Sequence, residues 1–73
     1  MPKIPAMSGR EVVKTFESLG WEFARQSVSH IVLVKAGESA SLSVPDHKEV
    51  RKGTLRGLIR TANLTVDEFL AAI

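Results

Sequence analysis

The stretch SHIVLVK, residues 29–35, predicts a β-strand, because three of its seven residues are β-branched and favour an extended backbone. Successive side chains of a strand point to opposite faces, so His30 shares a face with Val32 and Val34, and the residues between them take the other face. If those intervening residues face the helices, His30 lies on the open face of the sheet. The stretch therefore predicts a central strand that begins near a histidine.

Two further runs with the character of strands lie on either side of this stretch. In WEFARQ, residues 21–26, Trp21, Phe23 and Arg25 alternate with the intervening residues, and in ASLSV, residues 40–44, apolar and polar residues alternate. Because Trp21 and Phe23 follow a helix stop, we expect both rings to pack into the core and not to stack on bases. The same alternation predicts that Arg25 shares their face.

Two capping boxes predict helix starts near the two ends of the chain. In SGRE, Ser8 can accept from the backbone amide of Glu11, whose side chain can reach back to the Ser8 amide. This box predicts a first helix over residues 9–19, and Gly20 supplies its stop. The TVDE stretch, residues 65–68, repeats the pattern and predicts a short C-terminal helix.

A second long helix is expected to begin at residues 53–54, and Asn63 fits a left-handed cap at its end. Its apolar stripe consists of Leu55, Leu58, Ile59 and Ala62. The turns at 27–28 and 36–39 are too short for parallel crossovers, so the three strands should form an antiparallel meander. Each long helix has one apolar stripe, so both should cover the same face. The sequence thus predicts an α+β fold of order α-β-β-β-α plus a short helix, a layout that resembles the double-stranded RNA-binding domain.

Length and composition limit the class of protein. The 73 residues have room for one small core, so we expect a single domain over residues 1–73. The absence of Cys excludes a disulfide framework and a thiolate metal site. Residues 2–7 contain two prolines and predict an extended lead-in. With no signal peptide and no apolar run near the ~20 residues that span a membrane, we expect a cytoplasmic protein without a cofactor.

The cations of the chain are concentrated in one segment. Residues 48–60, called the basic segment below, contain Lys48, Arg51, Lys52, Arg56 and Arg60 and a single acid, Glu49. Such a segment is either a solvated helix face or a surface for an anionic partner such as RNA, and the residues alone leave both open. The cations expected to contact phosphates are Arg25, Lys35, Lys48, Lys52 and Arg56.

Few side chains offer catalytic chemistry. Neither histidine has acids at a spacing that suits a zinc site, and the sequence contains no Gly-rich phosphate loop and no Gly-x-Ser-x-Gly elbow. Ser29 adjoins His30, but neighbours in a strand point to opposite faces, so a Ser–His pair is not supported. His30 can exchange protons near neutral pH, although the residues alone favour an exposed strand residue without a role. His47 is more simply explained as the brace of a turn than as a catalytic group.

The chain as a whole resembles the HicA mRNA interferase family, the toxin half of a bacterial toxin–antitoxin pair. The ordered set of matching stretches spans nearly the whole chain: Lys3-Ile4-Pro5, Ser8-Gly9-Arg10-Glu11, Leu19-Gly20-Trp21-Glu22-Phe23, Arg25-Gln26, Ser29-His30, Val44-Pro45-Asp46-His47 and residues 52–60. The resemblance implies translation-independent cleavage of mRNA with one catalytic histidine, which corresponds to His30, and neutralisation by a HicB antitoxin. We expect the cleavage to proceed through the ribose 2′-hydroxyl without a metal ion. Ser29 and His47 also lie at matching positions and are further candidates for RNA contact.

One position departs from the family pattern. The family has glycine before the Ser-His pair, where this chain has Val28. Glycine permits a tight turn and a close approach of backbone to RNA, so we expect Val28 to alter the turn and to weaken or redirect the activity. Two other functions stay open: a non-catalytic RNA-binding module of the same fold, and a small protein-interaction domain whose basic segment docks an acidic partner.

Overall fold

The computed structural model describes residues 3–73 and contains three helices and one three-stranded antiparallel sheet in the order β1-β2-β3. The elements are α1 (Gly9–Ser18), β1 (Glu22–Gln26), β2 (His30–Val34), β3 (Leu42–Pro45), α2 (Lys52–Thr61) and α3 (Val66–Ala71). The predicted α+β class, strand order and short third helix are confirmed. Element ends differ from the predictions by one or two residues, as helix and strand ends commonly do. Pro2 of the predicted lead-in lies outside the described residues.

The predicted signals at the ends of α1 are confirmed in atomic detail. Ser8 Oγ accepts from the Glu11 backbone N–H at 3.2 Å, and Glu11 Oε1 accepts from the Ser8 N–H at 2.8 Å. At the other end Gly20 adopts a φ of +97°, which side chains disfavour, and Trp21 N–H donates to the Phe16 carbonyl at 3.0 Å. The pattern is a Schellman motif, which satisfies carbonyls at the end of the helix and turns the chain into β1.

The end of α2 and the start of α3 also follow their predicted caps, whereas α2 begins at Lys52 without a side-chain cap. Asn63 adopts a φ of +59°, and Leu64 N–H donates to the Ile59 carbonyl at 3.1 Å, so α2 ends in a second Schellman motif. Thr65 and Glu68 form the predicted capping box of α3. Short-range chemistry therefore sets these boundaries.

Both long helices cover one face of the sheet. Ile31 and Leu33 of β2 and Leu42 and Val44 of β3 are buried on this face, and the residues between them are not. Phe16 of α1 lies at the centre of the core, with its ring centroid 5.0 Å from that of Phe69 and 6.5 Å from that of Trp21. The opposite face of the sheet carries no helix and stays open, as an antiparallel sheet permits.

The prediction for β1 is wrong in one respect. Trp21 is buried as expected, but Phe23 is 54% exposed and all five residues of β1 are exposed. β1 is an edge strand, and its register against β2 shifts between Phe23 and Arg25, which leaves Ala24 as the extra residue of a β-bulge. Phe23 is opposite Leu33 on the helix side, at the margin of the sheet, where the core no longer covers it.

Candidate active site

His30 is the first residue of β2, and its side chain lies on the open face of the sheet. It is exposed, whereas the next residue, Ile31, is buried against the helices. The two faces of β2 are therefore as the sequence predicts, with His30 on the open face and Ile31 on the helix side. His30 is opposite Pro45 of β3, and its carbonyl accepts from Ser27 N–H at 2.9 Å, so the backbone is held from both neighbouring strands. The fold thus presents an imidazole to solvent from a fixed backbone.

The His30 ring has one hydrogen-bond partner among residues 3–73. Its Nδ1 lies 3.0 Å from Ser29 Oγ. Adjacent residues within a strand cannot make this contact, but Ser29 precedes β2 and belongs to the turn. The sequence-based expectation that the two side chains point to opposite faces is therefore wrong. Ser29 reaches its neighbour because the strand begins one residue after it.

Arg25 joins His30 on the open face because of the bulge at Ala24. Simple alternation predicts Arg25 on the face of Phe23, and this prediction is wrong. After the shift, Arg25 is opposite Val32, and directly opposed residues of an antiparallel pair share a face. Val32 lies two residues from His30 in β2, so Arg25 and His30 are diagonal neighbours, positions that lie about 7–8 Å apart in a sheet.

The rest of the open face carries two valines, a serine and one acid. Val32 is opposite Ser43 of β3, and Val34 is opposite Glu22 of β1. None of the Phe and Trp rings of the described residues lies on this face, because Phe23 is on the helix side and the others belong to the core. A ligand on the open face therefore meets the His30 imidazole, the Arg25 guanidinium, the Ser43 hydroxyl and the Glu22 carboxylate. No Phe or Trp ring of the described residues is available there for a base to stack on.

The five cations of the basic segment are exposed, and the segment has an excess of positive charge. It carries five cations and one anion, while the rest of the chain carries five cations and seven anions. Within residues 3–73 the single ion pair, Arg10–Asp46 at 3.6 Å, lies outside the segment. α2 begins at Lys52 with no side-chain cap and no acid in its first turn, so nothing in the turn offsets the positive end of the helix dipole. The segment therefore presents uncompensated positive charge to solvent.

The remaining candidates are divided between two places. His47 and Lys48 are exposed in the loop between β3 and α2, and Arg56 is exposed one turn after Lys52. The His47 carbonyl accepts from Gly9 N–H at 2.9 Å, so this loop is tied to the start of α1. The expected bracing role of His47 is thus carried by its backbone, and no hydrogen bond of its ring occurs within residues 3–73.

Lys35 is separated from the other candidate cations. Its ammonium donates to the Leu19 carbonyl at 3.3 Å, at the end of α1, and its side chain packs beside Gly20. A cation at this position stabilises the negative end of the helix dipole. A lysine side chain occupied in this way is not on the face that carries His30 and Arg25.

Val28 occupies the turn between β1 and β2 with its side chain fully in solvent. Asn63 is the sole residue other than glycine with a positive φ in the described chain, so the backbone at Val28 does not require glycine. The expected conflict between a valine and the turn is therefore absent. What the valine adds is an exposed apolar side chain two residues before His30.

Two further features are absent from residues 3–73. No group of three His, Asp or Glu side chains is arranged to hold a metal ion. No helix in this part of the chain is long and apolar enough to cross a membrane.

Comparison with known proteins gives one finding. A family model described as HicA toxin of bacterial toxin-antitoxin matches residues 9–64, which include the whole sheet, both long helices and His30. Neither the curated proteins nor the solved structures include a match to the chain. Because the family match covers well over half of the 73 residues, the chain belongs to the HicA toxin family of bacterial toxin–antitoxin systems.

Proposed function

We propose that the protein is an endoribonuclease that cleaves mRNA in the cytoplasm, with His30 as its catalytic residue. The observation that carries this proposal is an exposed imidazole on the open, helix-free face of the sheet, with an arginine on the same face. Membership of a toxin family supports a destructive activity, and the resemblance described above supports RNA as its target.

The chemistry requires one proton-transfer group and one site of positive charge. The ribose 2′-oxygen attacks the adjacent phosphorus, its proton passes to the His30 imidazole, and the bond from phosphorus to the 5′-oxygen breaks. The leaving 5′-oxygen takes a proton from the imidazolium or from water. The products are a 2′,3′-cyclic phosphate and a 5′-hydroxyl, and the reaction needs no metal ion. A positioned group of this kind contributes about 10²–10⁴-fold.

Positive charge near the phosphate is supplied by Arg25 on the face of His30. Negative charge grows on the phosphate oxygens as the 2′-oxygen attacks, and a guanidinium placed nearby stabilises it. Lys48, Lys52 and Arg56 of the basic segment then bind phosphates of the flanking RNA. His47 and Ser29 supply further contacts to the same RNA strand. Lys35 can bind a phosphate only if its ammonium group first breaks its hydrogen bond to the Leu19 carbonyl. These contacts bind phosphates and do not select a base sequence.

A cleavage assay with EDTA present tests the proposal directly. The purified protein is incubated with a labelled mRNA, and both the rate and the chemical nature of the new ends are determined. His30→Ala should lower kcat by at least about a hundredfold, because the proton-transfer group is lost. His47→Ala is the matched control, since it removes the other imidazole, and it should raise KM while leaving kcat unchanged.

Three results would contradict the proposal in different ways. Equal cleavage by wild type and His30→Ala removes His30 from the mechanism. RNA that is bound but never cut, with affinity unaffected by His30→Ala, favours a non-catalytic RNA-binding module. An absence of salt-dependent RNA binding favours a protein-interaction domain.

We further propose that a HicB-like antitoxin neutralises the protein by covering the face of His30 together with the basic segment. The uncompensated charge of the segment suits an acidic partner. Hydrogen exchange of the complex should show slower exchange in β2 and at the start of α2 than in the free protein. Protection confined to other parts of the chain would exclude direct occlusion.

A further inference from the structure

We propose that Ser29 is a positioning residue for the reaction: it holds Nδ1 of His30 and thereby leaves Nε2 as the nitrogen that exchanges a proton with RNA. This inference rests on the proposed function, because it names the reactive atom of the same site. It assigns to Ser29 a role in addition to RNA contact. It also decides which edge of the imidazole ring faces the substrate.

The first observation is the contact itself. Ser29 Oγ lies 3.0 Å from His30 Nδ1, within the distance of a normal hydrogen bond. Both residues are exposed, so the contact stands at the surface where RNA would arrive. Because the ring has no second partner among residues 3–73, Nε2 is the nitrogen left for a ligand.

The second observation is that the backbone around the pair is already fixed. The Ser29 carbonyl accepts from Asp46 N–H at 2.9 Å, and the His30 carbonyl accepts from Ser27 N–H at 2.9 Å. These bonds come from opposite sides, one from the chain after β3 and one from the chain after β1. The freedom that remains to His30 is rotation of its side chain. The Ser29 hydroxyl restricts this rotation.

The third observation is that Asp46, the acid next to Pro45 on the strand opposite His30, is engaged by other side chains. A carboxylate commonly orients a catalytic histidine, as in the Ser-His-Asp triad. Here Asp46 Oδ2 accepts from Gln26 Nε2 at 3.1 Å, and Asp46 Oδ1 lies 3.6 Å from Arg10 Nε. Both oxygens of Asp46 are therefore engaged by side chains other than His30. Within the described chain the task of orienting the ring falls to Ser29.

The direction of the hydrogen bond follows from the proton-transfer cycle. A hydroxyl can either donate or accept. If Nδ1–H donates to Ser29 Oγ, the bond is present both in the neutral ring and in the imidazolium, and Nε2 alone gains and loses the proton. If the hydroxyl donated to Nδ1, the neutral ring would carry its proton on Nε2 and could not act as a base there. The accepting role is the one that keeps the ring in place through both steps.

Nitrogen NMR of the folded protein tests the assignment without requiring activity. The chain contains two histidines, so ¹⁵N spectra resolve His30 and use His47 as an internal reference. In wild type we expect neutral His30 to hold its proton mainly on Nδ1. In Ser29→Ala the ring should return to the tautomer mixture of His47, whereas Ser29→Thr should keep the wild-type pattern. An unchanged His30 tautomer in Ser29→Ala overturns the proposal.

Cleavage kinetics give the second measurement. Ser29→Ala should lower kcat by about three- to tenfold, the worth of one hydrogen bond, with KM changed less, and Ser29→Thr should restore the rate. The matched control is Ser27→Ala, because the Ser27 hydroxyl hydrogen-bonds the His30 carbonyl oxygen at 3.4 Å and has no hydrogen bond to the ring. It should leave both kcat and the tautomer unchanged.

The two proposals fail in distinguishable ways. If wild type cuts no RNA, the proposed function fails, while the NMR comparison still decides whether Ser29 holds the ring. If wild type cuts RNA and Ser29→Ala cuts it equally fast, Ser29 is not a positioning residue. Denaturation curves and backbone spectra of each variant show that a lost rate does not come from lost structure.

Discussion

Gly9 lies where the start of α1 packs closely against the end of β3. It is the first residue of α1, it is buried, and a Cβ at this position would overlap the carbonyl oxygen of Pro45 at the end of β3. We predict that Gly9→Ala lowers the free energy of unfolding by about 1–3 kcal/mol, because either backbone must shift to make room. Urea denaturation followed by circular dichroism measures this loss.

The same substitution within α2 should have the opposite sign. Gly57 lies inside that helix, and a Cβ there would meet open space. Gly57→Ala should therefore raise stability by about 0.5–1 kcal/mol, since alanine is the better helix former. Equal effects at the two positions would show that close approach to Pro45 is not the reason for glycine at position 9.

Val28 allows a test of the departure from the family pattern. The Val28 side chain lies fully in solvent, so its removal costs no packing. Val28→Gly should still lower the free energy of unfolding by about 0.4–1 kcal/mol, because glycine gives the unfolded chain more conformational freedom. If the valine hinders RNA, the same variant should also lower KM in the cleavage assay. Unchanged KM would mean that the exposed side chain leaves RNA binding as it is.

At the scale of elements, the capping box of α1 makes stability depend on pH. The backbone hydrogen bond from Ser8, followed by its side-chain hydrogen bond, lowers the pKa of Glu11 below its ordinary value of 4.5. A carboxylate whose pKa is lower in the folded state stabilises the fold at pH above 4.5, and this stabilisation is lost as the pH falls through the folded value. Protonation removes the charged acceptor of the cap.

Substitution at the cap tests this pH dependence. Glu11→Gln should lower the urea midpoint at neutral pH. The difference in urea midpoint between variant and wild type should become smaller at pH well below 4.5, where the Glu11 carboxylate of the wild type is itself protonated. Glu17→Gln, in the same helix but without a capping contact, serves as the control. A gap that persists in acid would indicate that the charge of Glu11 is not what stabilises the helix start.

The start of α2 offers a second test at this scale. Lys52 is exposed in a first turn that contains no acid, so it should form one phosphate contact. Lys52→Ala should reduce the slope of log affinity against log salt by about 0.7, the value for one contact with single-stranded RNA. Lys14→Ala in α1 removes the same charge outside the basic segment and should leave the slope unchanged. Equal changes in both variants would reveal only a general effect of net charge.

For the whole molecule, the core extends beyond the segment that matches the family. Phe69 of α3 lies outside residues 9–64, yet it is fully buried and stacks obliquely on Phe16 with ring centroids 5.0 Å apart. Phe69→Ala should cost about 3–5 kcal/mol, a large share of the stability of so small a domain. Thermal denaturation should show a strongly lowered midpoint. A loss of less than about 1 kcal/mol in the free energy of unfolding would mean that α3 contributes little to the stability of the domain.

Features that depend only on neighbouring residues were predictable from the sequence. Capping boxes at Ser8 and Thr65 and helix stops at Gly20 and Asn63 are local patterns, because hydrogen bonds within a few residues create them. The alternation of SHIVLVK placed His30 on the open face for the same reason, since a strand has a fixed period of two. Fold class, element order and the exposed histidine were therefore predictable.

Positions that depend on pairing between strands could not be predicted from the sequence and follow from the tertiary fold. The bulge at Ala24 is a property of the register between β1 and β2, and it moved Arg25 to the face of His30 while leaving Phe23 exposed at the margin of the sheet. The same holds for Lys35, which is drawn to the end of α1, and for Ser29, which turns toward His30 because β2 begins one residue later than expected. Register and packing arise from contacts between distant residues, and no local pattern contains them.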